Sequence, residues 1–350
     1  MKRIMIFIFL LLAVFCFANL EITQVNVVKK KSYNFFREYD NFFDIASEWA
    51  IIPGLKEKLV PQGICYVPEQ NWFILTYYRI GGKPSVLAII DGTDGIFIKA
   101  MEIYNHNGTP YTGHAGGVAV SISNLWISSS SYLWRIPFQE IIDAENGSKV
   151  IIADEFNTGT RASFASYSNG ILWAGEFYHT GNYETSASHR MVARDGTTHH
   201  AWIAGFKLDS ETDRLPEDKI KNIASSVTPD VILSIPDIVQ GVEFLEDGRI
   251  VLSRSYGRGN DSFLQVYDPV LNERNHTTIQ ISGEEVPVWF LDNQSFENEL
   301  LILPMSEGIT QKDNSIYILF ESAASKYLLT TKYPTDYIWK LGIEHLNSSD

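Results

Sequence analysis

One pattern returns along this chain often enough to limit what it can fold into. A small or polar residue, usually glycine, precedes a short apolar strand. A turn of Asn, Asp or Gly type follows, then a β-rich strand carrying Trp, Tyr or Phe, a polar loop and a third apolar strand. The first unit opens at Gln62-Gly63-Ile64-Cys65-Tyr66-Val67 and continues through 71–78, 85–91 and 95–104. The second opens at Gly116-Gly117-Val118-Ala119-Val120 and continues through 124–128, 132–137 and 149–156. The third opens at Arg161-Ala162-Ser163-Phe164 and continues through 170–178, 201–209 and 230–236. The fourth opens at Gln240-Gly241-Val242-Glu243-Phe244, turns at Glu246-Asp247-Gly248, and takes its last strand from 299–303 after a long insertion. The fifth opens at Glu307-Gly308-Ile309, runs through 314–321 and ends with 337–341. None of these runs is long enough or 3.6-periodic enough to favour a helix.

A lone four-stranded unit leaves apolar faces in water, whereas units stacked around an axis bury both faces. The expected fold is therefore all-β, a five-bladed β-propeller of four-stranded antiparallel blades over residues 61–345. Glycine, the usual residue near the start of the innermost strand, fits the close approach of backbones at the axis. Only three strands are evident in the fifth unit, so the run 21–28 is the expected fourth strand that closes the ring. A six-bladed ring built with residues 19–60 is the alternative. Phe35, Phe36, Phe42, Phe43, Ile45, Trp49 and Ile52 instead suit a short amphipathic helix interrupted at Pro53-Gly54, which argues for a strand and helical segment packed on the propeller.

Ahead of that segment, Lys2 and Arg3 precede an apolar run from Ile4 to Phe17, with Cys16 and Ala18 at the positions a signal peptidase reads. Residues 1–18 are expected to be a signal peptide, the rest a secreted or periplasmic, monomeric protein that leaves the membrane after cleavage. Cys65 is then the only cysteine, so no intramolecular disulfide forms, and its apolar strand makes it a core residue. With 28 Lys and Arg against 42 Asp and Glu, the net charge of −14 argues against nucleic acid as a partner.

The blade pattern resembles that of secreted β-propellers of the gluconolactonase-like, YVTN and NHL superfamily, over residues 60–345. The stretches Gly113-His114-Ala115-Gly116-Gly117, Gly175-Glu176-Phe177-Tyr178, Ser255-Tyr256-Gly257-Arg258 and Phe320-Glu321-Ser322 resemble a group of exported bacterial propellers. The resemblance implies architecture. The calcium-binding Glu, Asn and Asp set of the gluconolactonase-like enzymes has no residue-by-residue match, so no catalytic assignment follows from it.

Propeller topology puts the loops from second to third strands, and from one blade to the next, on one face. Those loops carry the unusual polar residues, while the opposite face carries ordinary hairpin turns such as Ser168-Asn169-Gly170 and Lys312-Asp313-Asn314. His114, Arg161, Gln240 and Glu307 precede innermost strands and are expected at the mouth of the channel. Glu176, Arg254 and Glu321 end second strands, one shell further out. Catalytic roles are expected for His114, Arg161, Glu176, Arg254 and Glu307, since His and Glu serve as acids or bases and Arg holds an anion. Ligand contacts are expected from Tyr77, Tyr78, Gln240, Tyr256, Arg258 and Glu321. The competing reading is a hydrogen-bonded network that ties blades together.

No metal motif is present. His179, His189, His199 and His200 fall in one insertion without ligand spacing, and calcium at Asn260 and Asp261 is compatible with the loop but lacks a signature. The first functional expectation is non-catalytic binding of a carbohydrate, other small molecule or protein at this face. The alternative is a hydrolase or lactonase-like enzyme with a His/Arg/Glu site.

Overall fold

The computed structural model describes residues 20–29, 37–220 and 226–347. The expected signal peptide lies outside them, as do Phe35 and Phe36. The chain is a five-bladed β-propeller. Blade 1 is Leu59–Val67, Trp72–Arg79, Val86–Asp91 and Phe97–Tyr104, and blade 2 is Gly117–Val120, Asn124–Ser129, Tyr132–Pro137 and Asp154–Asn157. Blade 3 is Phe164–Ser168, Ile171–Gly175, Ala201–Lys207 and Val231–Ile235. Blade 4 is Val239–Phe244, Ile250–Arg254, Ser262–Tyr267 and Phe296–Ile302. Blade 5 is Ser306–Lys312, Ser315–Phe320, Tyr337–Gly342 and, from the N-terminal side, Ala46–Ile51. Each middle strand is covered on both faces, which is why a run such as Val86-Leu87-Ala88-Ile89-Ile90 is continuously apolar and fully buried.

The ring closes with a different segment from the one expected. Ala46–Ile51, which the aromatic spacing had placed in a helix, pairs antiparallel with Tyr337–Gly342. The helix proper is only Asp40–Ile45. Its Phe42 packs on Trp339, ring centroids 5.0 Å apart, while Trp49 of the closing strand packs against Phe73 and Tyr317 at 4.8 and 4.7 Å. One apolar series thus serves a helix and then a strand, because both must cover the same blade edge.

Residues 20–28 form a strap over the seam between the last and first blades rather than a ladder strand. Gln24 Nε2 donates to the carbonyls of Ile51 and Gly95, and its Oε1 accepts from the amide of Phe97. Asp336 Oδ2 accepts from the amides of Val27 and Val28.

Two further departures follow from edge strands seeking partners. The expected strand 149–156 divides: Lys149–Ile151 adds in parallel to the outer edge of blade 1, and only Asp154–Asn157 completes blade 2. The long insertion of blade 4 forms a hairpin, Thr277–Ile281 and Glu284–Phe290, that extends blade 3 through a parallel pairing with Val231–Ile235. The hairpin turns on the opposite face are as expected, with Asn169 and Gly170 both at positive φ, 52° and 76°.

At the axis, inner strands approach backbone to backbone. A Cβ on Gly63 would lie 2.7 Å from the Cα of Gly117, and one on Gly308 would lie 3.1 Å from the Cα of Gly63 and 2.8 Å from the amide nitrogen of Ile64. Only glycine fits at these positions.

Candidate active site

Immediately above that constriction the mouth of the channel opens into a cup of about 710 Å³. Its floor is made by the residue preceding the constriction in each blade: Gln62, Gly116, Ser163, Gln240 and Glu307. The first strands of blades 1, 4 and 5 each carry a register shift here, between Pro61 and Gly63, Val239 and Gly241, and Ser306 and Ile309. A β-bulge inserts one residue that the partner strand does not match and re-aims its side chain. Gln62, Gln240 and Glu307 therefore point into the cup instead of along the sheet.

Backbone strain collects at the same level. Ala115, Ala162, Ile238 and Met305, all just before floor residues, adopt φ of 49°, 47°, 62° and 63°. Left-handed backbone at non-glycine positions costs about 1–3 kcal/mol each, and Ile238 is β-branched, the least tolerant case. Four such residues in corresponding blade positions mark a shape maintained by the surrounding ring.

The chemistry centres on Glu307 and Glu321. Glu307, on the floor, is only 4% exposed, and Glu321 extends from the end of the second strand of the same blade. Burial, and then the neighbouring Glu321 carboxylate and a side-chain hydrogen bond with it, raise the proton affinity of Glu307 far above the usual carboxyl range. Glu321 is raised to about 7 by burial; the Lys326 ammonium, hydrogen bonds from Gln62 and Glu307, and Arg258 pull it back down. Gln62 Nε2 donates to Glu321 Oε2 at 3.1 Å, and Gln240 Nε2 reaches Glu307 Oε1 at 3.4 Å. Two carboxyl groups that cannot both ionise side by side titrate as one unit, a protonated acid beside a carboxylate.

His114 lies in the same cup, its ring stacked on Tyr78 at 4.3 Å and its amide bonded to Ser129 Oγ. Desolvation, and secondarily Lys326, lower its affinity for a proton, so the imidazole is neutral at pH 7. Phe177, Tyr183, Tyr256 and Tyr327 form the aromatic wall. Arg161, Arg258 and Lys326 complete the lining.

The structure brings together His114, Arg161, Gln240, Tyr256, Arg258, Glu307 and Glu321 in this cup. Tyr78 supports it from behind, its hydroxyl receiving a hydrogen bond from Lys326 Nζ at 2.9 Å and lying 3.2 Å from that of Tyr327. Three expected site residues stand apart. Glu176 is buried, its carboxylate accepting from the amides of Arg161 and Trp202 and pairing with His189 Nδ1 at 2.9 Å, so it holds the loop that carries Arg161. Arg254 lines a second cavity of about 450 Å³ between blade 4 and the blade 3 insertion, where its Nε donates to the carbonyl of Asp237. Tyr77 is wholly buried between blades and its hydroxyl has no hydrogen-bond partner among the described residues. Side chains alternate along a strand, so Tyr77 and Tyr78 necessarily face different surroundings.

Sequence reasoning missed Gln62 as a lining residue, whereas Ser130, Lys326 and Tyr327 come from loops it placed on this face. Gln62 was legible: it precedes Gly63 as Gln240 precedes Gly241 and Glu307 precedes Gly308. The insertion histidines diverge. His189 stacks on Trp202, His179 on Tyr256, His199 bonds Ser234 and His200 bonds Asp237. Among the described residues no three His, Cys, Asp or Glu side chains converge as metal ligands. Asp261 is engaged by Lys332 Nζ and Tyr39 Oη, both at 2.6 Å, which ties the N-terminal helical segment to blade 4.

No family model matches the chain, and no curated protein matches its sequence. Among solved structures, the PQQ-bound aldose sugar dehydrogenase of Streptomyces coelicolor is 11% identical, with 85% of this chain and 97% of that one covered at a TM-score of 0.45. The glutaminyl cyclase of Myxococcus xanthus is 11% identical, with 85% and 94% covered at 0.39. A gluconolactonase of Xanthomonas campestris is 10% identical, with 81% and 86% covered at 0.38. At these values the likeness bears on neither substrate nor reaction.

Proposed function

We propose that this protein is an acid/base hydrolase that cleaves a C–O bond of a small polyhydroxylated substrate bound in the cup. The observation that carries this reading is the placement of Glu307, buried on the cup floor, with Glu321 at the end of the next strand of the same blade, where Gln240 Nε2 and Gln62 Nε2 reach the two carboxyl groups. Glu321 takes a proton from an attacking water, and Glu307 gives its own to the departing oxygen. The hydrogen bond between the two carboxyls then returns the proton from Glu321 to Glu307, and the site is reset with one water consumed and no net charge change. Efficient general acid/base catalysis wants groups with proton affinities near the operating pH, which burial has produced here from two ordinary glutamates. Neutral His114 and the floor amides of Gln62 and Gln240 supply donors and acceptors for substrate hydroxyls, and the aromatic wall supplies faces for a sugar-like ring.

The non-catalytic binding expected from the sequence uses the same cup and is separated from hydrolysis by one measurement. Turnover on a panel of lactones, esters and glycosides is followed for the wild type, Glu307→Gln and Glu321→Gln. Loss of about 10²–10⁴-fold in both variants is expected. Equal turnover in variant and wild type would remove the pair from the chemistry, and a wild type that binds panel members without turning any over would establish the binding role.

A further inference from the structure

Lysine and arginine are in the minority in this protein, 28 against 42 acidic residues. Yet Arg161, Arg258 and Lys326 all line one cup, and among the described residues none of the three forms an ion pair with a carboxylate. Their positions are fixed by neutral groups instead. Arg161 Nη1 donates to the carbonyl of Glu184 and its guanidinium sits 5.9 Å from the Tyr183 ring centre. Arg258 Nη1 donates to Thr330 Oγ1, with its guanidinium 4.9 Å over Tyr327. Lys326 Nζ lies 5.0 Å over the same Tyr327 ring and 5.2 Å over Tyr78. Hydrogen bonds to a carbonyl, a threonine and a phenol hold these cations in place with no carboxylate at ion-pair distance, although Arg258 and Lys326 act on Glu321 from further off. The Arg258 and Lys326 pair, sharing one aromatic ring at the cup wall, presents a guanidinium fork and an ammonium to the same volume.

We propose that the substrate is an anionic saccharide whose acid group, carboxylate or sulfate, is seated by Arg258 and Lys326 while its ring lies on the tyrosine wall. This rests on the hydrolase reading for the word substrate and on the cation arrangement for the anion. Arg161, on the Tyr183 side, adds a third positive charge to the cup and favours entry of anions over neutral sugars. The acid group belongs beside Glu321 and not on it: the same two cations that offset the Glu321 carboxylate are the ones that receive the ligand, so the reacting bond lies within one sugar unit of the acid group.

The test uses the full chain and calorimetric binding, which needs no turnover. The probes are glucuronate, galacturonate and glucose 6-sulfate against glucose and galactose, each with wild type, Arg258→Gln, Lys326→Gln and the double variant. At least one acidic sugar is expected to bind about tenfold or more tightly than its neutral counterpart, and the double variant is expected to lose that discrimination. Carboxylate and sulfate probes tell which acid group is preferred. Glu307→Gln is expected to keep the discrimination while losing turnover, so failure of the hydrolase reading leaves this result standing. Equal binding of acidic and neutral sugars by the wild type, no binding of any acidic probe, or discrimination that survives in the double variant would each overturn the proposal. Unchanged melting temperatures in the variants, which alter exposed side chains, confirm that the fold is retained.

Discussion

Replacing Glu307 by glutamine should change how the stability of this protein depends on pH, by an amount that follows from one proton. In the unfolded chain Glu307 titrates near the ordinary value of 4.5; in the folded chain burial and Glu321 keep it protonated well above that. An acid whose folded value is raised contributes stability that is complete below about 4.5 and is lost as pH rises towards the folded value. The linkage slope for one proton is about 1.4 kcal/mol per pH unit, so the wild type loses stability with at most that slope as pH rises above about 4.5. The Glu307→Gln variant does not titrate there and its amide can donate to Glu321 in place of the carboxyl proton, so titrating groups outside the pair cancel in the difference. Urea unfolding from pH 4.5 to 7.5 should therefore show the variant gaining on the wild type as pH rises, with a slope of up to about 1.4 kcal/mol per pH unit. A flat difference curve between pH 5 and 7 would refute the reasoning, because it would mean that Glu307 ionises in the folded protein as it does in the unfolded one. Catalysis would then lose its proton donor as well.

Two other outcomes test the scaffold that positions the pair. Gly308→Ala places a Cβ against the Ile64 amide and the Gly63 Cα of the next blade, so a loss of about 1–3 kcal/mol in unfolding free energy is expected, with reduced turnover because Gln62 and Glu307 flank the contact. Wild-type stability and turnover in that variant would mean that the axis is less crowded than described. Gln24→Ala removes three hydrogen bonds across the seam between blades 5 and 1, and an expected loss of about 2 kcal/mol should appear together with faster amide exchange at Phe97, whose N–H donates to Gln24. Unchanged exchange there would show that the strap does not hold the ring closed.

Much of the site's location was legible in the sequence, because a propeller converts repeat position directly into height and radius. Knowing that Gly63, Gly241 and Gly308 start inner strands puts Gln62, Gln240 and Glu307 at one level around the axis. The expected division into a functional face and a face of hairpin turns follows from the same arithmetic. What sequence position could not supply was side-chain direction. Glu176 and Glu321 both end second strands and look equivalent, yet His189 and two backbone amides take up Glu176 while Glu321 turns to the cup. The insertion that supplies His189 has no counterpart in blade 5, so the difference arises from a contact distant in sequence.

The sequence by itself determined the architecture: alternation and turn residues are local signals repeated in five units, axial glycines in four of them, and each repeat corroborates the others. It also set the chemical vocabulary of the mouth, acids, amides, cations and tyrosines on one face. Tertiary structure alone decided which segment closes the ring, since Ala46–Ile51 and residues 20–28 are both short and apolar enough to serve, and the choice depends on the edge each must meet. It alone decided that Glu307 and Glu321 meet in the cup with raised proton affinities. That property comes from burial and from proximity across a bulged strand pair, neither of which can be read from residue identity.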